Sequence, residues 1–468
     1  MARKAPTEPI YYDREVETMP REQKEAMRLQ KLRSLLEHLL ASNGFYGPRL
    51  KKAGVRPQAI TSIAEFRKRV PATLKQELVA DQEENPPYGK RLGVPEEQLA
   101  QIFMTSGTSG IGQEVSPLSK SDTYHAALGF AFQLNAGGLA PGDISAHMWP
   151  VATMPGGLAA LEGLRMLKTN PMILGIFDTK KKLQLMVRFN VHHLFTTPAY
   201  LTRLALLAQE MGIEPRRDLS RLKAITLSTE AFPPIWAHNM EAFWGVPLQD
   251  CYGSTQLGTV FAFTTERGVA PGGARGVYHT LDHMGIVEIV DPQSGEEVPY
   301  GEYGEPIVTP LWREASPVLR FRSGDRVRRL PPTSEIDGRT CDTWEMGTIS
   351  RLDDMIKMKA TNIWPSTIDE VLFAHAEIDE YNGRVLIDAQ GRERVQIKLE
   401  FKTHITSESV KQAVLAKLPS QLREKTGMTI EVEAAPFGTI ERFEYKARRW
   451  KDERMSGLEG VRFRDKAV

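Results

Sequence analysis

The sequence predicts an α/β protein with a large N-terminal domain of βαβ units plus a β subdomain, and a small α/β C-terminal domain. Between residues 144 and 253, short apolar segments alternate with helical patterns, which is typical of right-handed βαβ units around a largely parallel sheet. From residue 260 to 330 the pattern changes to strands and turns, and a compact α/β pattern follows residue 353. The predicted domains are therefore 1–352 and 353–468.

The N-terminal part predicts one long amphipathic helix and one strand. The helix begins after Pro20 and ends at Asn43-Gly44, because proline favours a helix start and an Asn-Gly pair favours a stop. Leucines recur along it at helical spacing, at Leu29, Leu32, Leu35, Leu36, Leu39 and Leu40. The apolar segment Leu99–Phe103 predicts a strand.

The alternating region predicts buried strands that are separated by helices. The expected strands are Ile144–Trp149, Met172–Gly175, His193–Thr197, Ala224–Leu227 and Pro247–Tyr252. The expected helices are Asp178–Phe189 and Pro234–Phe243. The β subdomain is predicted to be antiparallel, with Ile286–Val290, the turn Asp291–Gly295 and Pro306–Thr309.

The C-terminal region predicts two strands and a helix between them. Val395, Ile397, Leu399 and Phe401 alternate as one strand, and Ile430 and Val432 alternate as another. The segment Ser407–Leu418 has a helical pattern.

Composition restricts the partners and the compartment. The 468 residues include 60 basic and 59 acidic ones, so a net charge of +1 gives no general attraction to nucleic acid or to an anionic membrane. Cys251 and Cys341 stand far apart without nearby Cys or His ligands, which argues against a disulfide framework or a structural zinc site. The sequence has no run of 18 apolar residues and no apolar leader. We expect a cytoplasmic protein without nucleic-acid or membrane partners.

Four segments contain candidate chemistry. In Met104–Gly112 seven of nine residues are Gly, Ser or Thr. Such a loop after a strand presents backbone N–H groups and hydroxyls to phosphate oxygens, although no Gly-Lys-Ser/Thr follows and it is therefore not a Walker loop. The other segments are Asp250–Gly258, Leu319–Asp325 and Gly347–Ser366. Each of them alone also fits an ordinary turn, a linker or a surface ion pair.

In this order and spacing, the segments resemble the acyl-adenylate-forming enzymes, specifically the phenylacetate–CoA ligase branch. Arg69–Glu77 is similar to the early "LPxTxKxxL" element of that branch, and Gly438–Arg449 is similar to its C-terminal "GxxPRxxxKAxR". The resemblance covers nearly the whole chain and implies an adenylate-forming N-terminal domain with a mobile C-terminal one. It also implies a two-step reaction. A carboxylate attacks the α-phosphorus of Mg-ATP and pyrophosphate leaves, and the thiol of coenzyme A then displaces AMP.

The resemblance implies roles for particular residues. Lys446 would act catalytically between the carboxylate and the α-phosphate, Asp325 would accept both ribose hydroxyls, and Arg351 would reach the ribose or a phosphate. The remaining ATP-binding residues would be Ser106, Gly107, Thr108, Ser109 and Gly110 in the phosphate loop, and Ser228, Thr229, Glu230, Asp250, Tyr252, Gly253 and Thr255 around the adenine. Val151, Gly156 and Tyr252 would line the acyl pocket, Asp353 would be the hinge, and Lys359, Ala360 and Thr361 would contact coenzyme A.

The chain departs from the family at three positions. Gln256 replaces a Glu that helps to hold Mg2+, and an amide oxygen is a weaker, uncharged ligand, so water, the phosphates and Thr255 are the alternative ligands. The phosphate loop continues as Gly-Ile-Gly-Gln-Glu where relatives often have Gly-Lys-Pro-Thr, and it therefore lacks a positive charge. Ala360 replaces a Gly beside the pantetheine arm.

The acid is the least determined part of the prediction. Aligning Gly156-Gly157 with the family's Gly-Gly places Val151 where aryl-acid members have a pocket Tyr. This favours a short branched 2-hydroxy acid such as 2-hydroxyisobutyrate. A phenylacetate-type acid is the alternative, because Met154 and Trp149 could still form aromatic-acid walls.

Two other classes of function stay open. One is adenylation with transfer to a carrier-protein thiol, and the other is nucleotide binding without turnover, which Gln256 and the missing loop lysine suggest. Lys446 argues against the second class, because it supplies the cation at the reacting centre. A homodimer follows only by analogy with the family.

Overall fold

The computed structural model describes residues 8–105, 113–149, 151, 155–229, 232, 234–352, 356–358, 361–387, 393–442 and 449–453. The chain divides into two compact units, the first formed by Met1–Thr229 with Met240–Ile349 and the second by Glu230–Asn239 with Ser350–Val468. The predicted α/β class is confirmed. The second unit resumes at Ser350, three residues before the predicted boundary at 353.

The described helices vary from single turns to more than five turns. In chain order they are α1 (Arg14–Glu17), α2 (Arg21–Ser42), α3 (Tyr46–Lys52), α4 (Ile63–Arg69), α5 (Lys75–Glu84), α6 (Lys120–Asn135), α7 (Pro155–Met166), α8 (Thr179–Phe189), α9 (Pro198–Glu210), α10 (Pro215–Asp218), α11 (Pro234–Trp244), α12 (Ser334–Asp337), α13 (Pro365–Phe373) and α14 (Glu408–Thr426).

The described strands are mostly short. In chain order they are β1 (Leu99–Met104), β2 (Val115–Ser119), β3 (Ile144–His147), β4 (Asn170–Ile173), β5 (His193–Phe195), β6 (Ala224–Ser228), β7 (Leu248–Gly253), β8 (Val260–Thr264), β9 (Val277–Thr280), β10 (Gly285–Val290), β11 (Tyr303–Pro310), β12 (Phe321–Arg322), β13 (Asp325–Leu330), β14 (Thr343–Glu345), β15 (Ser350–Arg351), β16 (Ile356–Met358), β17 (Thr361–Ile363), β18 (Ile378–Ile387), β19 (Glu393–Phe401), β20 (Glu431–Ala434) and β21 (Trp450–Asp452).

One large mixed sheet runs through the first unit. Its strand order is β10-β11-β13-β14-β9-β8-β7-β6-β5-β3-β4, with β12 beside β11. The strands from β4 to β7 are parallel neighbours, whereas the pairs from β7 towards β10 are antiparallel. The strands β1 and β2 form a separate antiparallel ribbon. The parallel half matches the predicted βαβ region closely.

The predicted helix ends have identifiable causes. Asp178 caps α8 by accepting a hydrogen bond from the backbone N–H of Lys181, and Asn190 ends that helix in the left-handed conformation. The opening helix α2 begins after Pro20 and ends at Asn43, as its sequence predicts. Its leucines pack with α3 and with Ile286 and Leu319 of the β region.

The β region agrees with the prediction, whereas the predicted end of the last helix needs correction. The strands of 260–330 pair antiparallel, as predicted, and they belong to the large sheet because β8 pairs with β7. The helix predicted to end at Leu418 continues through Pro419 to Thr426. Its buried face, which includes Leu418 and Leu422, packs on the core of the second unit, and this packing outweighs the proline's local penalty.

The second unit contains a four-stranded sheet in the order β20-β19-β18-β21, together with the helices α13 and α14. Val395, Ile397, Leu399 and Phe401 all lie in its core, which confirms the alternating strand. The strands β16 and β17 form a separate two-stranded ribbon. In the part of the chain that the structure describes, no helix is both long enough and apolar enough to span a membrane.

Candidate active site

The candidate site of the first unit is built at the carboxyl ends of β6 and β7. These strands are parallel neighbours in which Ser228 pairs with Cys251, so the segments that follow them start at the same edge of the sheet. The Ser228 hydroxyl donates to the backbone carbonyl of Cys251 at 3.0 Å. The next residue, Thr229, has a φ of +80°. A β-branched residue in that conformation is strained, and such strain is concentrated in functional loops.

Tyr252 and Asp325 are brought together across the sheet. The Tyr252 hydroxyl donates to Oδ2 of Asp325 at 2.6 Å although the residues are 73 positions apart. The Tyr252 ring packs edge-on against Trp344, with ring centroids 5.2 Å apart. The backbone N–H of Asp325 donates to the Ser323 hydroxyl at 3.0 Å. The contact unites two of the four candidate segments and fixes one oxygen of the carboxylate that is predicted to bind ribose.

Asp250 has a different environment from Asp325 because it is buried. The Tyr278 hydroxyl donates to its Oδ2, and the backbone N–H of Cys251 donates to its Oδ1 at 2.9 Å. Burial, together with the Asp250 charge, raises the pKa of Tyr278 well above its ordinary value, so the phenol keeps its proton. These contacts make Asp250 an anchor between β7 and β9, and its predicted contact with the nucleotide stays a prediction.

Two glycines of the site stand where a side chain would collide. A Cβ at Gly253 would lie 2.4 Å from the backbone oxygen of Thr259, and a Cβ at Gly156 would lie 3.0 Å from Cζ3 of Trp149. The Trp149 ring also packs on Phe195, with centroids 4.5 Å apart. The structure thus brings Trp149 to Gly156, where the acyl pocket is predicted. Val151, predicted to line the same pocket, is 43% exposed.

Gln256 lies in a buried polar network that the sequence analysis did not foresee. Its Nε2 donates to Oε2 of Glu114 at 2.5 Å, and Arg91 Nη2 donates to the other oxygen, Oε1, at 2.7 Å. The backbone oxygens of Thr255 and Gln256 both accept from Nη1 of Arg313, at 3.2 and 2.5 Å. Burial lowers the pKa of Arg313 to about 10, because desolvation disfavours its charged form.

One feature of the sequence pointed to this network, namely that two of its residues lie where the chain departs from the family pattern. Glu114 belongs to the Gly-Ile-Gly-Gln-Glu stretch that departs from the family pattern, and Gln256 is another of the three departures. Their contact spans 142 residues of sequence. Arg91 and Arg313 gave no comparable signal.

The second unit holds both sides of the segment that contains Lys446. Before it, Glu400 accepts from the backbone N–H groups of Gly438 and Ile440, at 3.1 and 2.5 Å, and from Arg442 Nη2 at 2.6 Å. After it, Arg449 Nε donates to Oε1 of Glu380 at 2.6 Å. Gly438, Arg442 and Arg449, the flanking residues of the C-terminal motif, are therefore anchored to the β18–β19 sheet.

The remaining predicted site residues lie in the second unit or outside the described residues. Arg351 lies in β15 and Thr361 begins β17, both in the second unit. The others lie outside the described residues: Ser106, Gly107, Thr108, Ser109, Gly110, Glu230, Asp353, Lys359, Ala360 and Lys446. Their roles stay predictions.

A metal ion would find few protein ligands among the described side chains. No group of three or more His, Cys, Asp or Glu residues within the described ranges could hold a metal ion. Mg2+ is commonly bound by one or two protein oxygens together with water and substrate phosphates. The Gln256 amide and the Thr255 hydroxyl fit that less demanding role.

Comparisons with known proteins agree with the resemblance. Residues 30–309 match the model of AMP-binding enzymes, and residues 360–454 match that of the AMP-binding enzyme C-terminal domain. The chain is 27% identical over 438 residues to a phenylacetate–coenzyme A ligase of Pseudomonas putida, which covers 92% of this chain and 94% of that protein.

Solved structures show the same fold. A 2-hydroxyisobutyryl-CoA ligase in the postadenylation state with 2-HIB-AMP gives a TM-score of 0.87 at 23% identity, covering 96% of this chain and 94% of that one. An open conformation of that ligase with 2-HIB-AMP and CoA gives 0.71 at 24% identity, covering 96% and 95%. Because the AMP-binding enzyme model alone matches more than half of the sequence, the chain belongs to the AMP-binding enzyme family.

Proposed function

We propose that the chain is an AMP-forming acid–CoA ligase, which activates a carboxylic acid with ATP and transfers the acyl group to coenzyme A. The observation that carries this proposal is the hydrogen bond from Tyr252 to Asp325, at the edge where β6 and β7 end. A carboxylate held there is suited to two ribose hydroxyl donors. The named ligase relatives support the same reaction class.

In the first step, a carboxylate oxygen of the acid bonds to the α-phosphorus of ATP and pyrophosphate leaves. Asp325 binds the ribose, and Tyr252 both orients Asp325 and lies along the adenine. Lys446 supplies an ammonium between the carboxylate and the α-phosphate, where negative charge is crowded in the transition state. Ser106, Thr108 and Ser109 bind the outgoing phosphates.

In the second step, the sulfur of coenzyme A bonds to the acyl carbon and AMP leaves with its phosphate oxygen. Lys359, Ala360 and Thr361 are the residues proposed to guide the pantetheine arm. Asp353 is proposed as the hinge about which the domain 353–468 turns between the two steps. Gln256 and Thr255 are the residues that would hold Mg2+ together with ATP, and the ion would supply positive charge that offsets the phosphates.

The proposed acid is a short branched 2-hydroxy acid such as 2-hydroxyisobutyrate. Two features support it: Val151 in place of the aromatic residue of aryl-acid members, and Trp149 packed on Gly156, which restricts the space there. A phenylacetate-type acid is the second candidate, because Trp149, whose ring packs on the buried Phe195, could form an aromatic wall at the same place.

The proposal also includes a cytoplasmic location for the protein and a homodimer as its assembly. Cys251 and Cys341 are both free and buried, which fits a reducing cytoplasm. A homodimer stays a prediction by analogy with the family, and its test is the mass of the particle in solution.

The decisive experiment measures acid-dependent pyrophosphate release with and without CoA, across short hydroxy, branched and aryl acids. We expect release with the correct acid alone, and an acyl-CoA product only when CoA is added. Turnover with a pantetheinylated carrier protein but not with CoA would favour the carrier-thiol alternative. ATP binding with no release from any acid would favour the non-catalytic alternative.

A further inference from the structure

The contact between Gln256 and Glu114 fixes the orientation of a side-chain amide. Arg91 donates to one oxygen of the Glu114 carboxylate, and all three side chains are buried, with Arg91 and Glu114 each 1% exposed. A carboxylate paired with a guanidinium can only accept hydrogen bonds. The atom of the Gln256 amide that faces Glu114 must therefore be its nitrogen.

The same contact turns the amide oxygen of Gln256 away from Glu114. No donor among the described residues bonds to this oxygen, whereas the Gln256 backbone is held separately by Arg313. An amide without a fixed partner can present either end, and Mg2+ accepts only the oxygen as a ligand. A glutamine that replaces a glutamate at a metal site therefore needs a neighbour that binds its nitrogen.

We propose that Glu114 is the positioning residue of the Mg2+·ATP site, which keeps Oε1 of Gln256 as the atom presented to the cation. This inference rests on the proposed ATP-binding function. It links two of the segments that depart from the family through one contact, because the carboxylate that is missing at residue 256 stands beside it at residue 114. Arg91 holds Glu114 from the other side.

The test measures binding rather than turnover. ATP binding is followed by calorimetry while Mg2+ is titrated, and again in excess EDTA, for the parent chain and three variants. Glu114→Gln removes the obligate acceptor, Gln256→Met removes the amide and leaves the Arg91–Glu114 pair, and the exchange E114Q/Q256E places the carboxylate at residue 256. Loss of an outer partner of a metal ligand costs about 10–100-fold in metal affinity.

We expect Glu114→Gln and Gln256→Met each to weaken the apparent Mg2+ affinity by about tenfold or more, while ATP affinity in EDTA changes less than about twofold. The exchanged variant should regain the parent affinity, because the amide introduced at residue 114 can then donate to the carboxylate introduced at residue 256. Ser116→Ala is the matched control. It removes a hydrogen bond from Arg313 within the same network and should leave the Mg2+ dependence unchanged.

Three results would overturn the inference: unchanged Mg2+ affinity in Gln256→Met, an equal loss of ATP binding with and without Mg2+, or no recovery in the exchanged variant. If Glu114→Gln does not fold, Gln256→Met and the exchanged variant decide the matter, since each keeps one carboxylate in the pair. The assay needs neither acid nor CoA. A chain with the expected Mg2+ coupling but no pyrophosphate release would therefore refute the ligase function and leave the role of Glu114 standing.

Discussion

Glu114 in the first unit and Glu400 in the second unit are both fully buried carboxylates beside a segment with predicted catalytic groups, yet their partners differ. Glu114, which follows the glycine-rich segment, binds the side chains of Arg91 and Gln256. Glu400 contacts residues that come before Lys446 in the sequence, and it binds mainly the backbone N–H groups of Gly438 and Ile440. One carboxylate orients a side chain, and the other fixes the path of the chain.

The difference predicts how each carboxylate tolerates the loss of its arginine. Without Arg91, the buried Glu114 would lose its direct ion-pair partner and would keep the Gln256 amide as a donor, with Arg313 as the remaining nearby cation. Without Arg442, Glu400 would keep its backbone donors, and the Arg442 side chain is already 42% exposed. Removing the direct partner of a buried ion pair is costly, whereas losing a partly exposed ion-pair partner costs little.

The largest expected effect is therefore on the stability of Arg91→Leu. We expect this change to lower the free energy of unfolding by about 3–5 kcal/mol, and the matched change Arg442→Leu to lower it by about 1 kcal/mol or less. Urea unfolding of the full chain, monitored by circular dichroism, measures both. Equal losses would show that Glu114 and Glu400 are supported in the same way.

The next effect separates the two steps of the reaction. Lys446→Ala should reduce acyl-adenylate formation by about 10²–10³ and spare thioester formation from supplied acyl-AMP, because only the first step crowds charge at the α-phosphorus. Lys451→Ala is the control, since Lys451 is a nearby lysine whose side chain is 76% exposed. Rapid-quench measurement of each half-reaction checks this, and an equal loss in both steps would remove Lys446 from its assigned role.

A smaller effect concerns the choice of acid, which we assign to the first unit alone. Val151→Tyr should penalise 2-hydroxyisobutyrate against phenylacetate by about 1–3 kcal/mol, because a ring would exclude the branched acid. The ratio of kcat/KM for the two acids measures this shift, with the exposed Ile176→Tyr as the control. A parent enzyme that already prefers phenylacetate would reverse the substrate assignment, and an unmoved ratio would place Val151 outside the pocket.

The sequence predicted those elements whose signals are local. The strands at 144–147, 193–195 and 224–228 are short and mostly buried, and the intervening helix α8 begins at the cap Asp178, so local patterns were enough to locate them. They could not reveal that β8 extends the parallel sheet, because strand pairing depends on partners distant in sequence. A proline at residue 419 favours an earlier helix end, but packing on the core of the second unit extends α14 to Thr426.

The candidate site divides in the same manner. The motifs located Tyr252 and Asp325 one by one, but their hydrogen bond joins positions that are 73 residues apart. Glu114 and Gln256 looked like two unrelated departures from the family, and only their contact in space shows that they are complementary. Local patterns thus identify which residues matter, whereas the donor and acceptor roles depend on the fold.

The smallest expected effect is a pH dependence that distinguishes the two units. Burial lowers the pKa of His147 to about 4 and that of His193 to about 3, below the ordinary value near 6.5. Both lie in the first unit. In the second unit burial by itself would raise the pKa of Glu400, but the Ile440 N–H and Arg442 hold it below its ordinary range.

The direction in which stability changes with pH depends on which state, folded or unfolded, binds more protons. Between about pH 6.5 and 4 the histidines take up protons in the unfolded chain but stay neutral in the folded chain, where they are buried. Their contribution to stability is therefore present above this window and is lost as the pH falls. Each histidine contributes a slope of up to about 1.4 kcal/mol per pH unit. The contribution of Glu400 is lost only at lower pH, as the pH falls below the ordinary glutamate pKa of about 4.3.

His147→Phe isolates one histidine without removing a well-formed hydrogen bond, because neither ring nitrogen of His147 makes one among the described residues. The ring stacks on Phe195 at 5.5 Å, a contact that phenylalanine can keep. Urea unfolding at pH 6.5, 5.5 and 4.5 should show a slope that is lower by up to about 1.4 kcal/mol per pH unit in the variant. An unchanged slope would mean that His147 takes up its proton in the folded chain as readily as in the unfolded one, and the acid sensitivity of the first unit would then have to come from other buried histidines such as His193 and His283, whose pKa values burial also lowers.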